Sequence, residues 1–143
     1  MEILIRESLE SGAKVGARVV KKIIKSNDRT VLGLATGDTP LRMYHELIQM
    51  NESGELSFQN CTTFNLDEYV GLSREDERSY FYYMMSNFFG RVDIDKKNVY
   101  LPDGNAEDLR EACRKYEQQI KDAGGIDLQV LGIGANGHIG FNE

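Results

Sequence analysis

Three short stretches of this chain carry residue types suited to proton transfer and anion binding. The first is Gly132-Ile133-Gly134-Ala135-Asn136-Gly137-His138-Ile139-Gly140-Phe141-Asn142-Glu143. It contains a literal GxGxxG, but a dinucleotide fingerprint follows the first strand, opens a helix and has an acid about twenty positions on. This copy sits late in the chain and is filled with Asn, His and Glu. Its glycines are therefore read as tight turns that let Asn136, His138 and Glu143 converge on one small ligand. A histidine bracketed by glycines, with an amide and a carboxylate nearby, suits proton transfer near neutral pH. The second stretch, Phe64-Asn65-Leu66-Asp67-Glu68-Tyr69-Val70-Gly71-Leu72, sets two carboxylates side by side. Neighbouring like charges raise one another's pKa, and a raised carboxylate is a usable general base. The third, Thr36-Gly37-Asp38-Thr39-Pro40, is a Gly turn running into a helix start. Free backbone N–H groups and the positive dipole end there suit a phosphate, although the Gly-Lys-Ser/Thr of a Walker loop is missing. Taken singly, each has a plainer reading: a turn loop, a capped turn, a solvated acidic pair. His45 lies off the apolar stripe of a surface helix and is read as a bystander.

These stretches need a scaffold, and the hydrophobic pattern supplies one. Ile3 to Ile5 reads as a short strand, followed by apolar or small residues at helical spacing from Ala13 to Ile24. Val31 to Ala35 is a second apolar run, and Leu41, Tyr44, Leu47 and Ile48 follow helically, with Thr39 as the expected N-cap and Pro40 at the first helical position. Thr62 to Leu66 reads as a third strand, and the aromatic segment Tyr80 to Phe89 as a largely buried helix whose rings belong to the core. Asn98 to Leu101 is a fourth strand. Asn105 with Asp108 is expected to cap a helix striped by Leu109, Ala112, Cys113, Tyr116 and Ile120, and Ile126 to Leu131 is a fifth strand. Strands alternating with helices favour right-handed crossovers and a mainly parallel sheet. All three chemical stretches begin where strands end, which is where open parallel sheets bind ligands.

The bulk composition narrows the function classes. With 143 residues, 41% hydrophobic, the chain fits one globular domain. A net charge of −6 and a pI near 5.0 oppose nucleic acid as a partner. No apolar run approaches the roughly eighteen residues of a membrane span, and the acidic opening is unlike a signal peptide, so the expected location is cytoplasmic. Cys61 and Cys113 lack metal-site spacing and read as reduced thiols.

Together the ATGDTP loop, FNLDEYVGL and LGIGANGHIGFNE resemble the signature set of the glucosamine-6-phosphate deaminase family, over the whole of residues 1–143. The 6-phosphogluconolactonases, a sister family of the same fold, are similar in the Thr-Pro loop and in Gly-His, but do not share the DEY or HIGFNE pattern. The resemblance implies one α/β domain over 1–143, an open, mainly parallel, modified Rossmann-like sheet with helices on both faces. It also implies truncation, because the family's chain continues well beyond Glu143, and its cationic phosphate ligands belong mainly to that part. The 143-residue polypeptide alone is accordingly expected to be poorly soluble and inactive.

By the same resemblance, glucosamine 6-phosphate and water give fructose 6-phosphate and ammonia in amino-sugar catabolism, without metal or organic cofactor, in a family whose members can be homo-oligomers. His138, supported by Asn136 and Glu143, would open the sugar ring; Asp67 would take the C2 proton; Thr36, Gly37, Asp38 and Thr39 would bind the phosphate. Many relatives carry Gly or Ser in place of Asp38, whose carboxylate would repel phosphate unless it points away. Three other readings compete, the first being a 6-phosphogluconolactonase-like hydrolase of the same fold. A non-catalytic sugar-phosphate sensor needs a DNA-binding helix-turn-helix, whereas this N-terminus runs into the first strand. A metal-dependent hydrolase using Asp67, Glu68, His138 and Glu143 would be stopped by chelators.

Overall fold

A run of five buried residues, Thr30–Leu34, forms strand β1 at the middle of the sheet, as a near-continuous apolar run does when both faces are covered. The computed structural model describes residues 1–142, so the carboxylate assigned to Glu143 lies outside the described residues. Beside β1 lie β2 (Cys61–Asn65), β3 (Val99–Tyr100) and β4 (Leu128–Gln129), in the order β3-β2-β1-β4 and all parallel. The helices between them are α1 (Leu9–Ser26), α2 (Asp38–Glu52), α3 (Tyr80–Asn87) and α4 (Leu109–Asp122), with single 3-10 turns at Phe89–Arg91 and Lys96–Asn98.

Because side chains alternate along a strand, Leu32 and Leu34 face one side of the sheet. There they meet Ala17 and Val20 of α1, Met43, Tyr44, Leu47 and Ile48 of α2, and Met84 and Phe88 from α3 and its end. Tyr44 stacks on Phe88 at 4.7 Å between ring centroids. Phe64, paired in register with Gly33, faces the other side. It meets Tyr116 of α4 edge-on at 5.6 Å, and the Tyr116 hydroxyl donates to Asn65 O at 2.7 Å. Helices thus cover both faces of an open parallel sheet, as expected.

Four expectations need correction. Ile3 to Ile5 is not a strand: the three residues are 71%, 50% and 86% exposed, and three β-prone residues form no ladder without a neighbour to pair with. The described sheet therefore has four strands rather than five. Helix α2 begins at Asp38, so Thr39 is already helical and Pro40 is its third residue; Gly37, at φ 116°, holds the N-cap place expected of Thr39. Asn105 does not cap α4. Asp108 does, accepting from Glu111 N at 2.9 Å, while Asn105 Nδ2 donates to Leu72 O at 2.6 Å and ties two loops together. The aromatic segment is helical only to Asn87, and that helix is not largely buried: only Met84 is fully buried, Tyr82 is exposed, and Tyr80 packs against the core while also lining a cavity. No helix among the described residues is long and apolar enough to cross a membrane.

Candidate active site

The connection from β3 to β4 carries the chain across β2 and β1, so strand order reverses beside β1. The crevice outside the carboxyl ends at such a reversal is the usual ligand site of open α/β sheets. A cavity of about 300 Å³ lies there. Its walls are residues 35–40 after β1, Leu66 and Asp67 after β2, Tyr80 at the start of α3, and Gly132, Ile133, Gly134, His138 and Gly140 after β4.

Thr36, Gly37, Asp38 and Thr39 all line it. No side chain caps α2, so the first-turn N–H groups of Asp38 and Thr39 have no intrahelical acceptor; Pro40 has no N–H to satisfy. The turn is held from behind. Buried Tyr44 donates its hydroxyl to Ala35 O at 2.5 Å and accepts from Ala35 N at 3.2 Å, and Tyr83 of α3 donates its hydroxyl to Gly37 O at 3.2 Å.

Asp67 follows β2 directly and is half-buried. Burial pushes its pKa up, and the neighbouring Glu68 charge adds to the effect. The expected pair effect is present, but desolvation is the larger cause. Glu68 itself turns away from the cavity. Its Oε1 accepts from Tyr69 N at 2.8 Å and Tyr80 N at 2.9 Å, and its Oε2 from Phe81 N at 2.9 Å.

His138 reaches the cavity from a loop that opens no helix, in keeping with the rejection of a dinucleotide fingerprint. The loop is folded by Gly137 N donating to Gly134 O and Gly134 N donating to His138 O, both at 2.9 Å. The imidazole lies so close over Gly134 that a Cβ there would fall 2.1 Å from its Cε1. Asn136 does not line the cavity; it stands behind the ring, its Oδ1 2.5 Å from His138 Nδ1 and 3.3 Å from His138 N. An amide oxygen only accepts, so Nδ1 carries the proton and Nε2 is left as the basic nitrogen. The exposed His45 takes no part.

Tyr80 was missed at the level of sequence because it opens an aromatic run that otherwise reads as core. Its ring meets those of Tyr69 and Phe141 at 4.8 and 5.8 Å, and Tyr69 meets Phe141 at 5.1 Å, so the loops after β2 and β4 share an aromatic contact with the start of α3. Burial, with Tyr69 alongside, pushes the Tyr80 hydroxyl up to about 12, which keeps it a neutral donor. The signal was Ser79, a helix-capping residue between the polar loop and the aromatics; its Oγ accepts from Tyr82 N at 3.0 Å. Among the described residues no group of three or more His, Cys, Asp or Glu is placed to hold a metal ion.

The sequence profile of glucosamine-6-phosphate isomerases/6-phosphogluconolactonase matches residues 6–140. Curated proteins named glucosamine-6-phosphate deaminase from Thermoanaerobacter sp. (strain X514) and Clostridium perfringens (strain 13 / Type A) are 58% and 52% identical over 143 residues. These alignments cover 100% of this chain and 56% and 59% of the relatives, so the chain spans little more than half their length. A solved structure of a monomeric glucosamine-6-phosphate deaminase superposes with a TM-score of 0.96 at 47% identity, covering 100% of this chain and 59% of that one. A 6-phosphogluconolactonase from Thermotoga maritima gives a TM-score of 0.79 at 24% identity over 98% of this chain and 62% of that one, a likeness of fold alone. With residues 6–140 matched by the family's profile and its polar loops gathered at one edge of the sheet, this chain belongs to the glucosamine-6-phosphate isomerase/6-phosphogluconolactonase family.

Proposed function

We propose that the chain carries the base, ring-opening and phosphate-binding elements of a glucosamine-6-phosphate deaminase. The observation that supports this most is the single cavity lined by Asp67, His138 and the uncapped start of α2. The phosphate of glucosamine 6-phosphate rests on the N–H groups of Gly37 to Thr39, which fixes the sugar by its far end. His138 Nε2 takes the proton of the anomeric hydroxyl and returns it to the ring oxygen, opening the pyranose. Asn136 holds the tautomer this needs, and Glu143 is assigned a supporting role by resemblance. Asp67, deprotonated and poorly solvated, removes the C2 proton and delivers it to C1 of the enolamine. Water then adds to the C2 imine, and ammonia leaves with fructose 6-phosphate as product. Each acid–base step is worth roughly 10² to 10⁴ in rate, so several groups are required.

The test is turnover of glucosamine 6-phosphate by the full-length protein in deuterated water, with and without a chelator. Expected are ammonia and fructose 6-phosphate in equal amounts, no effect of the chelator, and deuterium exchange at C2 of recovered substrate. Hydrolysis of 6-phosphogluconolactone without ammonia release would move the chain to the other branch of the family. Tight phosphosugar binding without turnover would identify a sensor.

A further inference from the structure

Glu68 adjoins the proposed base Asp67, yet the proposed reaction gives it no task. Its geometry is nonetheless tightly constrained. Helix α3 has only eight residues, well short of the length that stands alone in water. Its first four N–H groups are all satisfied: Tyr80 by Glu68 Oε1, Phe81 by Glu68 Oε2, Tyr82 by Ser79 Oγ and Tyr83 by Ser79 O. A carboxylate spanning two successive N–H groups fixes direction as well as distance, which one acceptor oxygen cannot do.

Both ends of this clamp reach the site. On one side Glu68 is joined by a peptide bond to Asp67. On the other, α3 carries Tyr80, whose ring walls the cavity, and Tyr83, whose hydroxyl holds Gly37 O at the phosphate-binding turn. An unbroken path of covalent bonds, one short helix and hydrogen bonds therefore runs from Asp67 to Gly37. We propose that Glu68 is a positioning residue that, acting through α3, couples the placement of the Asp67 loop to that of the phosphate-binding turn. This builds on the site described above and does not depend on which phosphosugar is turned over.

Removing the Glu68 charge has an electrostatic consequence as well. The titratable groups around Asp67 are Glu68 on its own loop, Tyr80 from α3, Tyr116 from α4, and, sharing its cavity, Asp38 at the start of α2 and His138 from the loop after β4. Replacing Glu68 by Gln removes a negative neighbour, so Asp67 ionises more readily and the acid limb of kcat/KM moves to lower pH.

The experiment compares the full-length protein with Glu68→Gln, Tyr83→Phe and the double variant, using inorganic phosphate as the probe and following the Asp67 carboxyl by 13C NMR. Each single variant is expected to weaken phosphate roughly ten-fold, the effect of about 1.4 kcal/mol. The double variant should be little worse than either, because both cut one path. Glu68→Gln lowers the titration midpoint of Asp67 and Tyr83→Phe leaves it in place. Should Glu68→Gln fail to fold, wild type and Tyr83→Phe still decide: phosphate should slow amide hydrogen exchange at Tyr80 and Phe81 in wild type and not in Tyr83→Phe, since coupling is reciprocal. Additive losses, or a Glu68→Gln protein with reduced Tm but unchanged phosphate affinity, would reduce Glu68 to a simple helix cap. Wild-type protein that shows this coupling yet releases no ammonia would refute the deaminase reading and leave the clamp intact.

Discussion

Gly134→Ala tests whether the ring of His138 must lie where it does. The added Cβ would sit 2.1 Å from Cε1 and 2.3 Å from Nδ1, whereas ordinary contact begins at 3.4 Å. The imidazole must therefore move by about 1.3 Å, because a side chain yields more readily than the loop backbone. A shift of that size would disturb the Nδ1 to Asn136 Oδ1 contact, now 2.5 Å. A misplacement of this size at a reacting group costs roughly 10²-fold in rate. Position 134 has no positive φ, so alanine itself fits the backbone, and Tm should fall little. The assay is kcat for ammonia release from glucosamine 6-phosphate, alongside inorganic phosphate affinity and Tm. Expected is a loss of about two decades in kcat with phosphate binding kept. Activity within two-fold of wild type would refute the requirement that the His138 ring lie where it does.

Other outcomes follow from the same geometry. Asp67→Asn should stop C2 exchange while keeping substrate affinity; normal deuterium wash-in would refute the base assignment. The Asp67 pKa is raised in the folded state, so its stabilising contribution is complete below the unfolded value and lost as pH rises through the folded one; Asp67→Asn should therefore raise Tm at neutral pH, and a lowered Tm there would contradict the burial argument. Tyr44→Phe strands both polar groups of Ala35 in the core and should cost about 1–3 kcal/mol in urea unfolding, with an unchanged midpoint as the contrary result. Asp38→Gly should leave phosphate affinity unchanged or tighten it, since the exposed carboxylate repels the anion; a clear loss would mean that Asp38 makes a favourable contact.

The convergence of the three loops was legible because two local signals agreed: apolar runs of strand length, and unusual polar residues directly after each. Burial of β1 on both faces and the stripe of α2 followed from residue type alone. The strand expected at Ile3 to Ile5 failed because propensity describes a residue's fit to a sheet and carries no information about a partner. The start of α2 shifted because Gly37, rather than Thr39, takes the backbone conformation that ends the turn. Tyr80 and Glu68 were hidden for related reasons. An aromatic run hides its one cavity-facing member, and a carboxylate beside a candidate base looks chemical until its oxygens are found on N–H groups twelve and thirteen residues away. Asn136 was placed with the right partner but behind it rather than at the cavity wall.

Strand β4 has two ladder residues, yet His138 depends on it for its place. The bond that seats it, Val31 N to Asp127 Oδ2 at 2.8 Å, joins residues 96 apart in sequence. Closing so long a span is entropically costly and is rewarded late, whereas α1, β1, α2 and β2 bury one another through nearer neighbours. During synthesis the hydrophobic core can therefore form while the histidine loop is still absent, and that loop joins the cavity only when β4 docks. A refolding chain should accordingly bury its core aromatics, Tyr44 and Phe88 among them, before it regains the phosphosugar affinity proposed for it. Simultaneous recovery of both signals would show that β4 belongs to the nucleus.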